Sequence, residues 1–283
     1  MLLMVSIPCS MARELAENED ELEVEFRPIT SSFMIDCGSA SILDTYLTPI
    51  TYSGYDLRLS YEGFKAMKFN PEYWIMQFTS GVQYDNVKNI VQNRVMHSLT
   101  LDIEWGMMHR WNMNVVEGLT LYLGGSAGLY GGVIYNQYNS NNPVSAKIRV
   151  SANLVAMATY DLKIGELPIT LRYEPTLPMI GVFFAPGYGE SLYEVYLGNM
   201  DGVVHAAYWG NRFDMTNLLT ADLHLGRVSL RIGYRGVYEA SWVNNTDTRI
   251  YTNSLIIGVS GDWVNLRRGD ADRSKAKVIS ALY

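Results

Sequence analysis

The sequence predicts an all-β chain closed into an up-and-down antiparallel transmembrane β-barrel of about 12 strands. Three observations predict it. From residue 54 onward, apolar residues recur at every second position. No segment there keeps a 3.6-residue period over 12 residues, and beyond residue 12 no run of about 18 apolar residues could span a membrane as a helix. The chain is also apolar without being charged. Of 283 residues, 48 % are hydrophobic and 18 % charged, against roughly 25 % charged in an ordinary soluble domain. That balance excludes a disordered chain. Twenty-nine acidic against 22 basic residues argue against a generic phosphate-backbone binder, so no nucleic-acid partner is expected.

The elements follow in order. Met1–Ser10 is a short apolar run, and Ser10-Met11-Ala12 reads as the end of a signal peptide cut after Ala12. No basic segment precedes it, so the expected start lies upstream. Residues 13–31 read as an acidic, solvated leader, and residues 32–283 as a single barrel domain. Cleavage would leave Cys37 as the sole cysteine of the mature chain, with no intramolecular disulfide. Four scattered histidines and no C-x-x-C pair predict no metal and no cofactor.

The strand runs are regular. Tyr55, Leu57, Leu59 and Tyr61 share one face, and Asp56, Arg58, Ser60 and Glu62 the other. Leu99, Leu101, Ile103 and Trp105 alternate with Ser98, Thr100, Asp102 and Glu104. Ala146 to Leu154 alternates with Lys147, Arg149, Ser151 and Asn153. Val228, Leu230, Ile232 and Tyr234 alternate with Ser229, Arg231, Gly233 and Arg235. Short breaks (Phe69–Glu72, Asn112–Glu117, Lys163–Glu166, Asn199–Gly202, Gly226-Arg227) alternate with longer polar ones (Tyr46–Ser53, Asn86–Asn93, Asn136–Pro143, 175–189, Ala240–Arg249). A further break at Asn211–Asp214, short for its side, completes the alternation and gives about 12 strands, give or take two, with both termini at a short-turn end. With Gly226-Arg227 as a type II′ turn, Leu223 faces Leu230, His224 faces Ser229 and Asp222 faces Arg231. A one-residue slip would scramble both faces.

Alternation does not say which face is wet. The polar face mixes opposite charges: Asp56, Arg58, Glu62, Asp102, Glu104, Lys147, Arg149, Arg172, Glu174, Asp222, Arg231 and Arg235. Such a set suits a narrow lumen in which charges pair. Tyr and Trp collect at strand ends (Tyr55, Tyr84, Trp111, Tyr135, Tyr160, Tyr173, Trp209, Trp242, Tyr251, Trp263), as membrane–water girdles require. The apolar face is therefore expected to meet lipid.

Three blocks carry a resemblance: Ile42-Leu43-Asp44-Thr45-Tyr46-Leu47-Thr48-Pro49, Gly181 through Glu194, and Val278-Ile279-Ser280-Ala281-Leu282-Tyr283. They resemble an uncharacterised family of Bacteroidota proteins, a domain-of-unknown-function family of predicted outer-membrane β-barrels. The resemblance covers roughly residues 30–283. It implies a secreted protein integral to the outer membrane, with the bilayer and the outer-membrane assembly machinery as partners, and it implies no reaction.

Candidate chemistry is sparse. His97 and Ser98 are adjacent in a strand and point to opposite faces, so they cannot form a nucleophile–base pair. His224, Ser229 and Asp222 share a face, but Asp222 is better placed to pair with Arg231, so the set reads as a satisfied lumen cluster. Gly124 to Gly132 lacks the G-K-[ST] ending of a phosphate loop and reads as strand. In the block Phe183–Glu194, Pro186, Gly187 and Gly189 break the strand pattern, and Tyr188, Glu190, Tyr193 and Glu194 form a candidate ligand site on a constrained loop. That loop could contact a small polar solute or glycan, or fold inward and plug the lumen. The expected function is a narrow channel or passive transporter for polar solutes. The alternative is a non-conducting structural or binding barrel. A lipid hydrolase is the least favoured reading, and no enzymatic activity is expected.

Overall fold

The computed structural model describes residues 24–113, 116–140, 142–190, 197–198, 202–226, 228–263 and 276–282. The expected signal segment, most of the leader, Tyr193 and Glu194 lie outside the described residues. The strands in chain order are β1 (Val24–Phe26), β2 (Ile29–Asp44), β3 (Thr48–Ala66), β4 (Trp74–Asn89), β5 (Val95–Asn112), β6 (Leu119–Asn136) and β7 (Val144–Ile164). They continue with β8 (Leu167–Phe184), β9 (Val204–Ala207), β10 (Arg212–His224), β11 (Ser229–Val243), β12 (Thr246–Trp263) and β13 (Ala276–Val278).

Ten of them, β2–β8 and β10–β12, form a closed antiparallel wall in which each strand pairs with its neighbours and β8 pairs with β10 to complete the circuit. The expected count of about 12 is therefore corrected to ten. Two of the expected strands lie between residues 189 and 211, on either side of the short break Asn199–Gly202. There the described chain forms only β9, which pairs with the outer end of β8 and stands outside the circuit. The small parallel pair β1–β13 is separate from the wall.

Two of the expected long loops are also corrected, whereas the break Asn136–Pro143 joins β6 to β7 as expected. β2 and β3 are joined by Thr45-Tyr46-Leu47, and β11 and β12 by Asn244-Asn245. The polar stretches Tyr46–Ser53 and Ala240–Arg249 lie largely on strand ends instead. Their polarity reflects a wall that runs on into water past the apolar belt. Asn244 and Asn245 both hold positive φ, as a two-residue I′ hairpin turn requires. At the opposite end the Gly226 turn has the expected register: Asp222 pairs with Arg231, Leu223 with Leu230 and His224 with Ser229.

Successive register partners can be followed once around the wall. Leu171 leads through Ala221, Ile232, Ile257, Ile35, Leu59, Val82, Leu101, Gly131 and Ile148 to Phe184, on the strand where the path began. The path has climbed from 171 to 184, and one of those residues belongs to the bulge opposite Ala152/Asn153. Ten strands with this stagger tilt by about 40° and enclose a bore that side chains can fill.

The apolar face points outward. On β12, Leu255 is 70 % and Ile257 65 % exposed, while Ile256 between them is 1 % exposed. Leu57, Leu59, Leu99, Leu101, Ile148 and Val150 are exposed, and Asp56, Arg58 and Arg172 are buried. A soluble barrel would show the reverse, so the wall is of the membrane type. Its rims are aromatic. At the short-turn end Tyr73, Trp74, His109 and Trp111 form one ring cluster. At the outer end Trp209, Phe213, Tyr238 and Tyr251 form a chain of ring contacts, and Tyr84 stacks on His97. Two asparagines face outward within the belt. Each is satisfied by a neighbouring tyrosine: the Tyr173 hydroxyl donates to Asn217, and the Tyr234 hydroxyl to Asn253. Hydrocarbon surroundings demand such pairing.

Candidate functional site: the barrel lumen

Inward-facing side chains divide the bore into three layers. The outer end is apolar: Ala40, Ile42, Tyr46, Leu47, Tyr52, Val87, Met96, Ile134 and Ile250 pack together. The short-turn end is apolar too, with Phe64, Ile75, Met108, Tyr122, Val155 and Met157 closing around Ala281 and Leu282. These last two residues lie beyond β12 and enter the bore from the short-turn side. Arg110 holds them by donating to the carbonyls of Ser280 and Ala281. Leu282 thus plugs the bore and adds no strand to the wall, and Tyr283 lies outside the described residues.

Between the apolar ends lies a charged waist. Arg231 grips Asp222 through Nε and a terminal nitrogen at 2.6 and 2.7 Å, and reaches Glu62 at 2.7 Å. Arg172, on β8, meets the same Glu62 oxygen at 2.8 Å and Glu174 at 3.6 Å. Gln77 donates to Glu174 at 2.6 Å and to Glu62 at 3.4 Å. Arg58 binds Asp102 with both terminal nitrogens, at 2.6 and 2.8 Å. Arg235 meets Asp36 at 2.6 Å, and Arg149 and Arg212 share Asp214. Lys147 meets Asp44 at 2.9 Å at the outer end, where Asp44 stands between Ile42 and Tyr46 of the cap. Asp56 accepts from Ser254, and Glu104 from Ser126. Each of the 12 sequence-selected lumen residues thus lies on the inner wall. These pairs are desolvated, so each ion is stable only while its partner remains.

Local sequence makes this packing possible. The Arg58 guanidinium lies where a side chain on residue 81 would begin: a Cβ on Gly81 would fall 2.1 Å from its nitrogen. Glycine there is what lets Arg58 reach Asp102 across two strands. Arg172 also lies over the Phe64 ring, 5.3 Å from its centroid, and so couples the waist to the plug. What free space remains in the waist is a cavity of about 130 Å³, bordered by Arg58, Asp85, Asp102, Glu104, Arg149 and Glu239 among others. It is large enough for a small water cluster.

The chain belongs to the family described as a protein of unknown function (DUF3316). The family model matches residues 1–269. No curated protein matches the chain. Among solved structures, the transport unit of the autotransporter AIDA-I from Escherichia coli is similar at 8 % identity, with 88 % of this chain and 92 % of that one covered and a TM-score of 0.44. The outer membrane protease OmpT from Escherichia coli is similar at 7 % identity, covering 83 % and 97 %, with a TM-score of 0.44. An outer membrane channel from Pseudomonas putida F1 is similar at 9 % identity, covering 86 % and 97 %, with a TM-score of 0.34. Each is similar in barrel shape alone.

In this DUF3316 member, the candidate loop site is only partly assembled. Phe183 lies in β8 and is buried. Glu190 turns back to accept from the Gly187 backbone N–H at 2.8 Å, and its own carbonyl accepts from the Tyr46 hydroxyl. The Glu190 carboxylate thus closes the loop's own turn, and its backbone carbonyl ties the loop to Tyr46 of the outer cap. Tyr188 is exposed. The histidine cluster has the expected Asp222–Arg231 pair and adds a second carboxylate, Asp161, through Thr170. Asp222 is committed to Arg231, while His224 contacts Ser229 at 2.8 Å and Thr170 at 2.9 Å, and Thr170 donates to Asp161 at 2.6 Å. Among the described residues, no group of three or more His, Cys, Asp or Glu is arranged to hold a metal ion.

Asp36, Asp44, Asp85, Arg212 and Asp214 were not selected from sequence. Asp36 and Asp44 sit on β2, whose inward face mixes them with Met34, Ala40 and Ile42, so hydropathy does not alternate there. Their signal was parity: both are even-numbered, like the inward residues that flank them.

Proposed function

We propose that the protein is an outer-membrane barrel that does not conduct along its axis and that acts through its outer end. The observation that supports this reading is the threefold obstruction of the bore: an apolar cap, an ion-paired waist and an apolar plug. A channel for polar solutes needs a continuous wet path, and two dry clusters interrupt it. The narrow-channel reading therefore gives way to the binding or structural one. The outer tips are unusually apolar for water-exposed turns: Ile90 is 92 % and Val91 71 % exposed, in the tight β4–β5 turn. Tyr188 and Leu197 are exposed on the segment after β8. Such residues suit contact with a partner at the cell surface. No catalytic reaction is assigned.

Single-channel recording in planar bilayers tests the closed bore. Silence at all voltages is expected, and discrete conductance steps from the intact chain would overturn the reading. Replacing Ile90 and Val91 with Ser leaves folding intact on this reading and weakens binding of whole cells to the partner surface.

A further inference from the structure

The wall is not equally continuous all the way round. The β3–β4 ladder runs unbroken from Tyr52–Asn89 to Ala66–Ile75. The β8–β10 ladder runs only from Leu223–Ile169 to Thr216–Thr176. Above it, Pro178 and a bulge carry β8 away from β10, and pairing resumes only where Gly181–Phe184 meets β9. Proline lacks the N–H that a ladder needs. The gap between Leu177–Ile180 of β8 and Arg212–Met215 of β10 is bridged from outside by one bond, Trp209 Nε1 to the Pro178 carbonyl at 3.0 Å. Trp209 belongs to the outer aromatic rim, so the gap faces the outer half of the belt.

The gap leads inward. A narrow crevice there, about 10 Å³ in volume and so wide enough for a single hydroxyl or water, is bounded on the lipid side by Met179, Ile180, Ala207 and Tyr208, and on the lumen side by Arg149 and Asp214. Arg149 also borders the waist cavity, so the two spaces share a wall. Ile180 is 65 % exposed. Asp214 is 4 % exposed, and its Oδ1 has no hydrogen-bond partner, although Oδ2 binds Arg149 and Arg212. A buried carboxylate oxygen without a donor is costly, and Asp214 lines this crevice beside the exposed Ile180.

We propose that this seam is a lateral binding site for a single-chain amphiphile with a hydrogen-bond-donating, uncharged head. The tail lies in the outer leaflet against Met179, Ile180 and Ala207. The head enters between β8 and β10 and donates to Asp214 Oδ1. The charges around the head are paired, Arg149 and Arg212 with Asp214 and Glu239, while Arg149 Nε, like Asp214 Oδ1, has no hydrogen-bond partner, so a hydroxyl, which both donates and accepts, suits the site better than an ion. A lateral entry needs no axial opening and goes beyond the closed-bore reading.

The test uses the full chain in phosphatidylcholine vesicles with a 1-monoacylglycerol carrying a diazirine at its chain end. Photolabelled peptides are mapped by mass spectrometry. Labelling several-fold denser at 177–180 and 207–215 than over the equally apolar β5–β6 surface is expected. The substitution Ala207→Trp fills the crevice and should lower seam labelling several-fold without changing the rest of the belt, whereas Leu123→Trp adds the same bulk on β6 and should leave the seam labelled. A methyl ester of the same chain, which has no donor, should lose the enrichment. Labelling spread evenly around the belt in the unsubstituted protein overturns the site whatever the variants do. Equal enrichment by the ester overturns the assignment of the head to Asp214.

Discussion

The waist and the short-turn plug fill the same bore by opposite means. Around Arg231, Arg172 and Glu62 the space is filled by ions whose positions are fixed by short, directed bonds. Around Phe64, Ile75 and Leu282 it is filled by shape. The difference teaches that closure and specificity are separable. A plug tolerates any side chain of similar volume. The waist tolerates the loss of a whole set of partners better than the loss of one, because a single deletion strands a buried charge.

Predictions follow from trying to break that contrast. The largest effect is expected from Arg231→Met, which leaves Glu62 and Asp222 short of a cation. It should cost about 3–5 kcal/mol, read as a fall in the urea midpoint of folding in detergent or vesicles. Replacing Arg231, Asp222, Arg172, Glu62 and Glu174 together with apolar residues should cost much less than the single change, because no member of the set is then left without its partner. If the fivefold variant were the less stable of the two, the description of the waist as a mutually dependent set would be wrong. Next comes Phe64→Ala in the plug, at about 3 kcal/mol. Here Phe64→Leu should recover most of the loss, and a failure to recover would show that the Arg172 contact, and not volume, matters there. Gly226→Ala should cost about 1 kcal/mol. Its φ is +99° and a Cβ would meet nothing within 4 Å, so the backbone alone is at stake and asparagine should be the mildest substitute. The smallest effect belongs to Lys163→Ala. Its pair with Glu166 is solvent-exposed, and a shift in midpoint above about 0.5 kcal/mol would contradict its surface placement.

Much of this architecture was legible because a two-residue period leaves little freedom. Tyr55 to Glu62 assigned both faces of β3 correctly, and Gly226 fixed the β10–β11 register pair by pair. Strand number was less legible. Between residues 189 and 210, Tyr, Leu and Val recur often enough to suggest two wall strands, yet the wall closes without them because β8 finds β10 directly. Polarity also misled where it marked water and not a turn, as at Tyr46–Ser53. The lumen set was found through charge on an apolar-alternating strand, which is why Asp36 escaped: its neighbours on the inward face are Met34 and Ala40. No sequence signal identified the partners themselves. Arg172 and Glu62 are far apart in the chain and meet only because ten strands with this stagger bring β8 and β3 within reach across the bore.

Most seams of the wall join strands that follow one another in sequence through a short turn. Two do not: β2 with β12, which brings Ile29 to Trp263, and β8 with β10. Long chain separations make such seams slow to form, since closing them costs loop entropy before any bond is gained. The β12–β2 seam recovers that cost over its whole length, from Ile29 to Asp44. The β8–β10 seam has only a short ladder with which to do so. It should therefore be the last seam to zip and the first to breathe. Backbone amides of Leu218 to Leu223 should exchange with deuterium well ahead of those on β3 and β4, giving the barrel a hinge line along one side in an otherwise stiff tube.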